Sequence, residues 1–389
     1  MIAVFLSNKL ITCDVIVPIM LEVRVACGSR RIAFYCFEKR TYDAIRSNVV
    51  LNDAIASMGT LAFMGRSQKG RLSWLIHRIR MAVAFLPLAA RAVAGGVVFV
   101  HFKALSEWPL RVLFFLNRRR TFLFEPSVAA YSKLADEVVA NMFRQRRRKT
   151  IKPAAGKIVA FDPAWPVLAD DRLQGVPRFM LSSPHRRKAW LDFIDRRIEG
   201  YLQADFAAAG VAESEDIVVF ILSLIDPEAR GADFMKANIR LSELLAETLD
   251  ILSEEAPDLA IFVKPHVITD MDYLAEVVAA RPDARIVVTH LHPCALAMRA
   301  KFFVANYYST TFASAQVLNG ITVEYTDYAD EILEATGGGS MRPDFVDHFI
   351  NNDPRAFRAL VRRLANAPRP ALPHADSADP DGVIERLCA

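Results

Sequence analysis

The chain carries almost no net charge and few cysteines. Its 389 residues include 48 Lys and Arg against 44 Asp and Glu, which gives a net charge of +4. A balance this even excludes a dedicated nucleic-acid binder, which needs a strongly basic surface. The five cysteines contain no CxxC pair and no zinc-like spacing. We therefore expect a reduced, cytoplasmic setting and no disulfide framework.

Long hydrophobic runs are missing as well. The most apolar stretch, residues 81–90, has about half the ~20 residues that a spanning helix needs, and Arg80 and Arg91 flank it. The first residues have no basic leader and do not resemble a signal peptide. Residues 74–91 and 108–120 mix basic side chains with Trp, Phe and Leu. We expect a soluble protein that at most makes peripheral contact with the inner face of a membrane; buried core helices are the alternative for these two stretches.

Short apolar runs alternate with helical patterns along the chain, in two successive series. Apolar residues make up 53% of the sequence, enough for sizeable cores. Strands that alternate with helices predict mostly parallel sheets covered on both faces. We therefore predict an α/β protein with two doubly wound, Rossmann-like domains facing a cleft. The predicted parts are an N-terminal domain, a connecting segment with one long helix, a C-terminal domain and a tail, over residues 1–185, 186–214, 215–366 and 367–389.

The clearest chemical signal follows a predicted strand of the second series. The segment AIFVKPHV ends an apolar run in Lys264, Pro265 and His266. Ligands of doubly wound sheets lie at the carboxyl ends of the strands, and Pro265 restricts its own backbone and that of Lys264. A lysine and an imidazole held at this place suit a phosphate group. The alternative is a solvated lysine beside a turn histidine.

Polar side chains follow three further strands of this series. One strand runs into Ser309, Thr310 and Thr311 at a predicted helix start, where hydroxyls and backbone amides bind anions; ordinary N-capping is the alternative. The segment TVEY places Glu324 near the end of the next strand, in reach of ribose hydroxyls, unless it is a plain surface carboxylate. The loop that begins at Ser223 follows the first strand of the series, and we expect it to face the same site.

The order of these signals resembles the donor-binding half of the GT-B-fold glycosyltransferases. The similarity is closest to the surface-polysaccharide group, which contains the capsule polysialyltransferases, the Kdo transferases and the CDP-glycerol glycerophosphotransferases. These carry a His-Pro motif, then a Ser- or Thr-rich helix start followed by small residues and Gly. The resemblance covers residues 217–328, and over the N-terminal half it is only architectural.

The resemblance implies roles for particular residues. His266 would contact the phosphate of the donor nucleotide, and the hydroxyls of residues 309–311 would bind phosphate at the helix start. Glu324 would lie near the ribose or the base, and Lys264 has no fixed role in the family. The chain departs from the family pattern at Val267, where a proline is expected after the histidine. This departure bears mainly on the identity of the donor.

Transfer to an acceptor hydroxyl by an inverting enzyme also needs a group that takes the hydroxyl proton. The candidates in the N-terminal half are Asp14, predicted as the N-cap of the first helix, and Glu125, directly after the strand TFLF. His101 lies inside an apolar strand and is predicted to be a core histidine. Asp270 and Asp272 have the spacing of a metal-binding Asp-x-Asp pair, but helix capping explains them better.

These features together predict a metal-independent glycosyltransferase that needs no cofactor. It would move a sugar or sugar acid from a nucleotide-activated donor, with a CMP-sugar favoured, to a surface glycan or lipid-linked acceptor in the biosynthesis of a polysaccharide such as a capsule. One alternative is a sugar-nucleotide epimerase, which can share this double fold. The other is a binding or scaffold protein that has the fold without catalysis.

Overall fold

The computed structural model describes most of the chain and divides it into two compact units. The described residues are 1–6, 11–28, 30–65, 71–102, 108–125, 156–161, 175–222, 241–266, 269–307 and 309–389. The first unit contains the described residues of 1–125, 156–193 and 374–389, and the second unit contains those of 194–373. The last residues of the chain thus return to the first unit, whereas we predicted a separate tail over 367–389.

Thirteen strands lie within the described residues. In chain order they are β1 (Ile2–Leu6), β2 (Ile32–Cys36), β3 (Gly59–Phe63), β4 (Val98–His101), β5 (Thr121–Phe124), β6 (Lys157–Ala160), β7 (Arg178–Met180), β8 (Ile217–Ile221), β9 (Ala260–Lys264), β10 (Ile286–Val288), β11 (Ala300–Ala305), β12 (Ile321–Thr326) and β13 (His348–Asn351).

Fourteen α-helices lie in the same part of the chain. They are α1 (Ile11–Cys27), α2 (Lys39–Ser47), α3 (Val49–Met58), α4 (Arg71–Val93), α5 (Trp108–Leu116), α6 (Lys188–Asp195), α7 (Ile198–Ala209), α8 (Leu241–Glu255), α9 (Met271–Ala279), α10 (Pro293–Ala297), α11 (Thr311–Gln316), α12 (Asp330–Thr336), α13 (Pro354–Asn366) and α14 (Val383–Cys388).

Each unit is built on one parallel sheet with a reversal of strand order. The first sheet has the order β3-β2-β1-β4-β5-β6-β7, and the second has the order β10-β9-β8-β11-β12-β13. Every strand pair is parallel. Chain order therefore reverses between β1 and β4, and again between β8 and β11. This is the doubly wound arrangement, and it confirms the predicted fold class.

The first strand of each sheet at the reversal is completely buried. Every residue of β1 and of β8 is buried, as expected for parallel strands covered by helices on both faces. Around β8 the core is filled by aliphatic side chains of α8 and α13, among them Leu245, Leu249 and Val361. Burial of these side chains fixes the central strands and with them the positions at which the strands end.

Three local predictions are corrected. The connecting helix predicted over residues 186–209 is two helices, α6 and α7, because the chain turns at Arg196 and Arg197. The first helix begins at Ile11, so Asp14 lies in its first turn and is not its N-cap. The apolar run at 81–90 belongs to α4, in which Leu72–Val93 is long and apolar enough to cross a membrane by length and composition.

A buried guanidinium holds the C-terminal segment to the first unit. Arg187 is 0% exposed and makes a two-pronged ion pair with Glu22 of α1, with an Nη2–Oε1 distance of 2.6 Å. Its Nη1 also donates to Ser182 Oγ and to the Ala378 carbonyl, each at 2.8 Å. The arginine therefore links α1 to the start of α6 and to the end of the chain.

A disulfide makes a second link to the same segment. Cys27 at the end of α1 is bonded to Cys388 in α14, with the two Cα atoms 5.5 Å apart. This pair corrects the expectation that no disulfide is formed. A sequence separation of 361 residues gives no short-range pattern from which the pairing can be predicted. Cys13, Cys36 and Cys294 are buried and outside any disulfide.

We predict that Glu22→Ala lowers the free energy of unfolding by about 3 kcal/mol or more, because it leaves the Arg187 charge buried without its partner. Urea unfolding followed by circular dichroism measures this loss.

The matched control is Asp192→Ala, which removes the exposed i,i+4 pair between Lys188 and Asp192. Exposed pairs of this kind contribute little, so the control should lose less than about 1 kcal/mol. Similar losses in both variants would contradict a special role for the buried pair.

Candidate functional site

Four strand positions of the second sheet lie at one level. Ile221 of β8 pairs with Lys264 of β9 on one side and with Ala305 of β11 on the other. Ala305 in turn pairs with Glu324 of β12. The strands β8, β9 and β11 all end at this level, so the residues that follow them lie along one edge of the sheet. This edge spans the strand-order reversal, where doubly wound sheets bind their ligands.

The end of β9 presents an exposed imidazole beside an anchored lysine. Lys264 Nζ donates to the Leu291 carbonyl at 2.8 Å, which holds the half-buried lysine against the loop that follows β10. His266 is exposed, and its backbone N–H donates to Thr269 Oγ1 at 2.9 Å. This hydrogen bond fixes the backbone of His266 at the end of β9, and the residue is exposed enough for a ligand to reach it.

Two titratable groups that we did not predict lie near Lys264. Asp205 of α7 accepts a hydrogen bond from Thr289 Oγ1. Burial raises the pKa of Asp205, and the Thr289 hydrogen bond and the Lys264 charge oppose that rise. Burial and then the Lys264 charge lower the pKa of His290. No local pattern predicts this cluster, because α7 lies far along the chain from β9 and β10.

The hydroxyl side chains lie where they were predicted, at the start of a short helix. Ser309 Oγ accepts from the Thr311 N–H at 3.2 Å, and Thr310 is exposed at the N-terminal flank of α11. Asn306, which directly follows β11, donates to Thr248 Oγ1 at 2.8 Å and to the Tyr325 carbonyl at 2.9 Å. These buried bonds tie the start of the loop to α8 and β12, so the hydroxyls follow a fixed segment.

The two groups flank the end of β8 from opposite sides. His266 follows β9 and Thr310 follows β11, and both strands are neighbours of β8. Adjacent strands are ~4.8 Å apart, so β9 and β11 are roughly 10 Å apart. A phosphate group above the end of β8 therefore has candidate donors on two sides. Ser223, in the loop that directly follows β8, lies outside the described residues.

Glu324 occupies a closed polar cluster below this edge. The side chain is fully buried, and its two oxygens accept hydrogen bonds from Tyr328 Oη and Ser340 Oγ. Ser340 Oγ also accepts from the Arg342 N–H at 2.9 Å. Burial raises the pKa of Glu324 to about 7, against the lowering effect of the two hydroxyls and Arg342. Both oxygens of Glu324 therefore accept hydrogen bonds from hydroxyls of the chain itself. The predicted contact of Glu324 with a ribose stays a prediction.

The candidate bases of the first unit differ in their surroundings. Asp14 is half-buried in the first turn of α1. Glu125 is 2% exposed and forms an ion pair with Arg178 of β7 at 3.0 Å. Burial raises the pKa of Glu125, and Arg178 opposes the rise. His101 is buried and stacks on Phe114 at a centroid distance of 4.7 Å, which fits the predicted core histidine.

The first aspartate of the Asp-x-Asp pair caps a helix, as predicted, and the second lies in its first turn. Asp270 Oδ1 accepts from the N–H groups of Asp272 and Tyr273 at the start of α9, at 3.0 and 3.1 Å. Within the described part of the chain, no group of three or more His, Cys, Asp or Glu side chains is arranged to hold a metal ion.

Comparison with known proteins identifies the fold. No family model matches the chain, and no curated protein matches it. The wall teichoic acid polymerase TagF, in a structure from a CDPG soak, has a TM-score of 0.51 at 10% identity, covering 93% of this chain and 79% of that one. The S. aureus MnaA–UDP co-structure has a TM-score of 0.51 at 11% identity over 99% of this chain and 94% of that one. A UDP-N-acetylglucosamine 2-epimerase from Rickettsia bellii has a TM-score of 0.47 at 12% identity, with 93% and 94% covered. The chain has the fold of the GT-B glycosyltransferases.

We predict that the stability of the protein falls as pH rises from about 4.5 to about 7, because the carboxyl of Glu324 ionises in the unfolded chain while it stays protonated in the fold. The raised pKa means that the folded state binds more protons than the unfolded state in this range, so the free energy of unfolding decreases with pH. The shift from 4.5 to about 7 corresponds to roughly 3 kcal/mol.

The variant Glu324→Gln removes this titration and keeps the shape of the side chain. Chemical unfolding at pH 5 and at pH 8 should show the variant gaining stability relative to the wild type at the higher pH. The control Glu276→Gln, on the exposed side of α9, should follow the wild type. Parallel pH dependence of the wild type and Glu324→Gln would show that Glu324 does not titrate as described.

Proposed function

We propose that this chain is a glycosyltransferase that moves a sugar or sugar acid from a nucleotide-activated donor to a glycan or lipid-linked acceptor. The observation that supports this most directly is the strand register of the second sheet, by which β8, β9 and β11 end at one level. Because of this register, the exposed residue His266 follows the strand on one side of the strand-order reversal, and residues 309–311 follow the strand on the other side. Imidazole and hydroxyl groups in this arrangement suit the phosphate of a nucleotide.

The proposed chemistry places the negative charge of the leaving group at this edge. When the bond from the sugar to the donor phosphate breaks, a phosphate oxygen gains charge. His266 donates a hydrogen bond to that oxygen, and Ser309 and Thr310 donate from the other side. Lys264 is anchored to the Leu291 carbonyl, so we propose that it supplies a positive charge near the phosphate. Groups placed in advance where charge develops stabilise the transition state. We propose on this basis that transfer needs neither a metal ion nor a cofactor.

The acceptor hydroxyl needs a base, and Asp14 is the better of the two candidates. Asp14 is half-buried in the first turn of α1, whereas Glu125 is almost completely buried. A group that is closed off from solvent is poorly placed to take a proton from a large acceptor. We therefore propose Asp14 as the base.

The donor and acceptor are narrower proposals that rest on motif resemblance. A CMP-sugar is the favoured donor, a surface polysaccharide such as a capsule or a lipid-linked glycan is the favoured acceptor, and the cytoplasmic side of the membrane is the expected place of action. TagF is named as a polymerase of wall teichoic acid, which is also a polymer of the cell surface. A panel of CMP, UDP and CDP in a thermal-shift assay tests the choice of donor, because only a bound nucleotide raises the unfolding temperature.

We predict that His266→Ala weakens nucleotide binding by about ten- to a hundredfold, since it removes one charge-assisted hydrogen bond to phosphate. The same variant should lose sugar transfer. Isothermal titration with the stabilising nucleotide measures the first effect, and release of free nucleotide in the presence of acceptor measures the second.

The control is His374→Ala, which removes a histidine of the other unit and should bind nucleotide as the wild type does. Unchanged affinity in His266→Ala would refute the phosphate contact. Conversion of a nucleotide sugar without acceptor would instead identify an epimerase. Failure to bind CMP, UDP or CDP would identify a scaffold protein.

We also predict that Asp14→Asn abolishes transfer and leaves nucleotide binding unchanged, because a base acts on the acceptor and does not hold the donor. Ser309→Ala combined with Thr310→Ala should have the opposite profile and weaken binding first. Full activity in Asp14→Asn would move the assignment of the base to Glu125.

A further inference from the structure

The helix α4 exposes an aliphatic stripe along its whole length. Its exposed large apolar side chains include Val83 at 65%, Leu86 at 67% and Val93 at 76%. Helical residues advance by about 100° each, and this places the exposed large side chains Leu72, Leu75, Ile76, Ile79, Val83, Leu86 and Val93 on one side. Exposed apolar surface this continuous marks an interaction site on most soluble proteins.

From Met81 to Ala92, the opposite side of the same helix is packed into the first unit. Met81, Phe85, Leu88 and Ala92 are at most 5% exposed and belong to its core. They lie about 150° around the helix from the middle of the stripe. The core therefore fixes the orientation of this half of α4, and the stripe is left uncovered by the described residues.

The neighbouring helix α5 packs on the same core and also exposes apolar side chains. It contacts α4 and exposes Phe115 at 72% and Leu116 at 54%, while its Leu113 is buried in the same core. We call the exposed side chains of the stripe together with Phe115 and Leu116 the α4–α5 face.

Cationic side chains border the α4–α5 face, and neither helix contains an acidic residue. Arg80 and Arg91 are exposed along one edge of the stripe, and Arg78 lies along the other edge, with its guanidinium 3.6 Å from the Trp74 ring. The turn that follows α5 adds exposed Arg118 and Arg119. An apolar centre bordered by the basic residues of these two helices and the following turn is complementary to an apolar layer covered by anionic groups.

We propose that the α4–α5 face binds the surface of an anionic lipid bilayer, with α4 lying parallel to the membrane plane. The aliphatic side chains enter the boundary between headgroups and acyl chains, while the long arginine side chains reach the lipid phosphates. This binding is independent of whether the chain transfers sugars.

Two other occupants fit the face less well. A membrane-spanning α4 would have to leave the core that holds Met81 and Phe85, and it would carry Arg78 and Arg80 into the hydrocarbon, where charges are costly. A second copy of the chain, joined through a two-fold axis, would set the basic border of one face against that of the other. Neither helix offers a carboxylate to compensate the repulsion.

Co-sedimentation with vesicles tests the proposal on the full chain. The wild type should bind vesicles of phosphatidylcholine mixed with phosphatidylglycerol more strongly than vesicles of phosphatidylcholine alone. The double variant Val83→Asp/Leu86→Asp should bind the mixed vesicles about a hundredfold more weakly, because two buried aliphatic contacts are lost and two like charges meet the lipid. Arg80→Gln/Arg91→Gln should lose about tenfold or more of the preference for anionic vesicles.

The matched control is Met271→Asp/Leu372→Asp, which places two charges on exposed apolar positions of the other unit and should bind as the wild type does. Three results would overturn the proposal. The first is vesicle binding that Val83→Asp/Leu86→Asp leaves intact. The second is wild-type protein that alkaline carbonate fails to release from vesicles, as expected of a spanning helix. The third is a dimer in light scattering that the same double variant dissociates, without any vesicle binding by the wild type.

Discussion

The account of the second unit depends on the alignment of four parallel strands. Pairing of Lys264, Ile221, Ala305 and Glu324 across β9, β8, β11 and β12 makes three strands end at one level. The loops that leave these ends are brought to one edge of the sheet by backbone hydrogen bonds and by burial of apolar strands. A shift of one residue in any pair would turn each strand's side chains to the opposite face of the sheet. The candidate site is therefore a consequence of the core.

The residues at the carboxyl ends of these strands differ in their exposure to solvent. His266 and Thr310 are exposed, so a ligand can reach them from solvent. Glu324 is enclosed by Tyr328 and Ser340, and its proton affinity is set by burial. The exposed groups are suited to bind a phosphate. The enclosed Glu324 cluster makes the stability of the same unit depend on pH.

The sequence was sufficient for features that are local along the chain. Alternation of strands and helices predicted two parallel sheets. The prediction also placed Lys264 and Ala305 correctly at the ends of two strands. It was insufficient for features set by distant residues. The Cys27–Cys388 bond and the approach of Asp205 to Lys264 depend on tertiary packing. The burial of Glu324 depends on Ser340, which lies beyond the next helix. The break between α6 and α7 could not be predicted, because it contains no proline or glycine and the amphipathic pattern continues across it.

The most direct test of the central claim is a structure of the protein with its stabilising nucleotide among CMP, UDP and CDP. We predict that the nucleotide phosphate lies above the end of β8, within about 3 Å of the His266 ring and of a hydroxyl from residues 309–311. A nucleotide bound elsewhere in the protein, with His266 still facing solvent, would contradict this account.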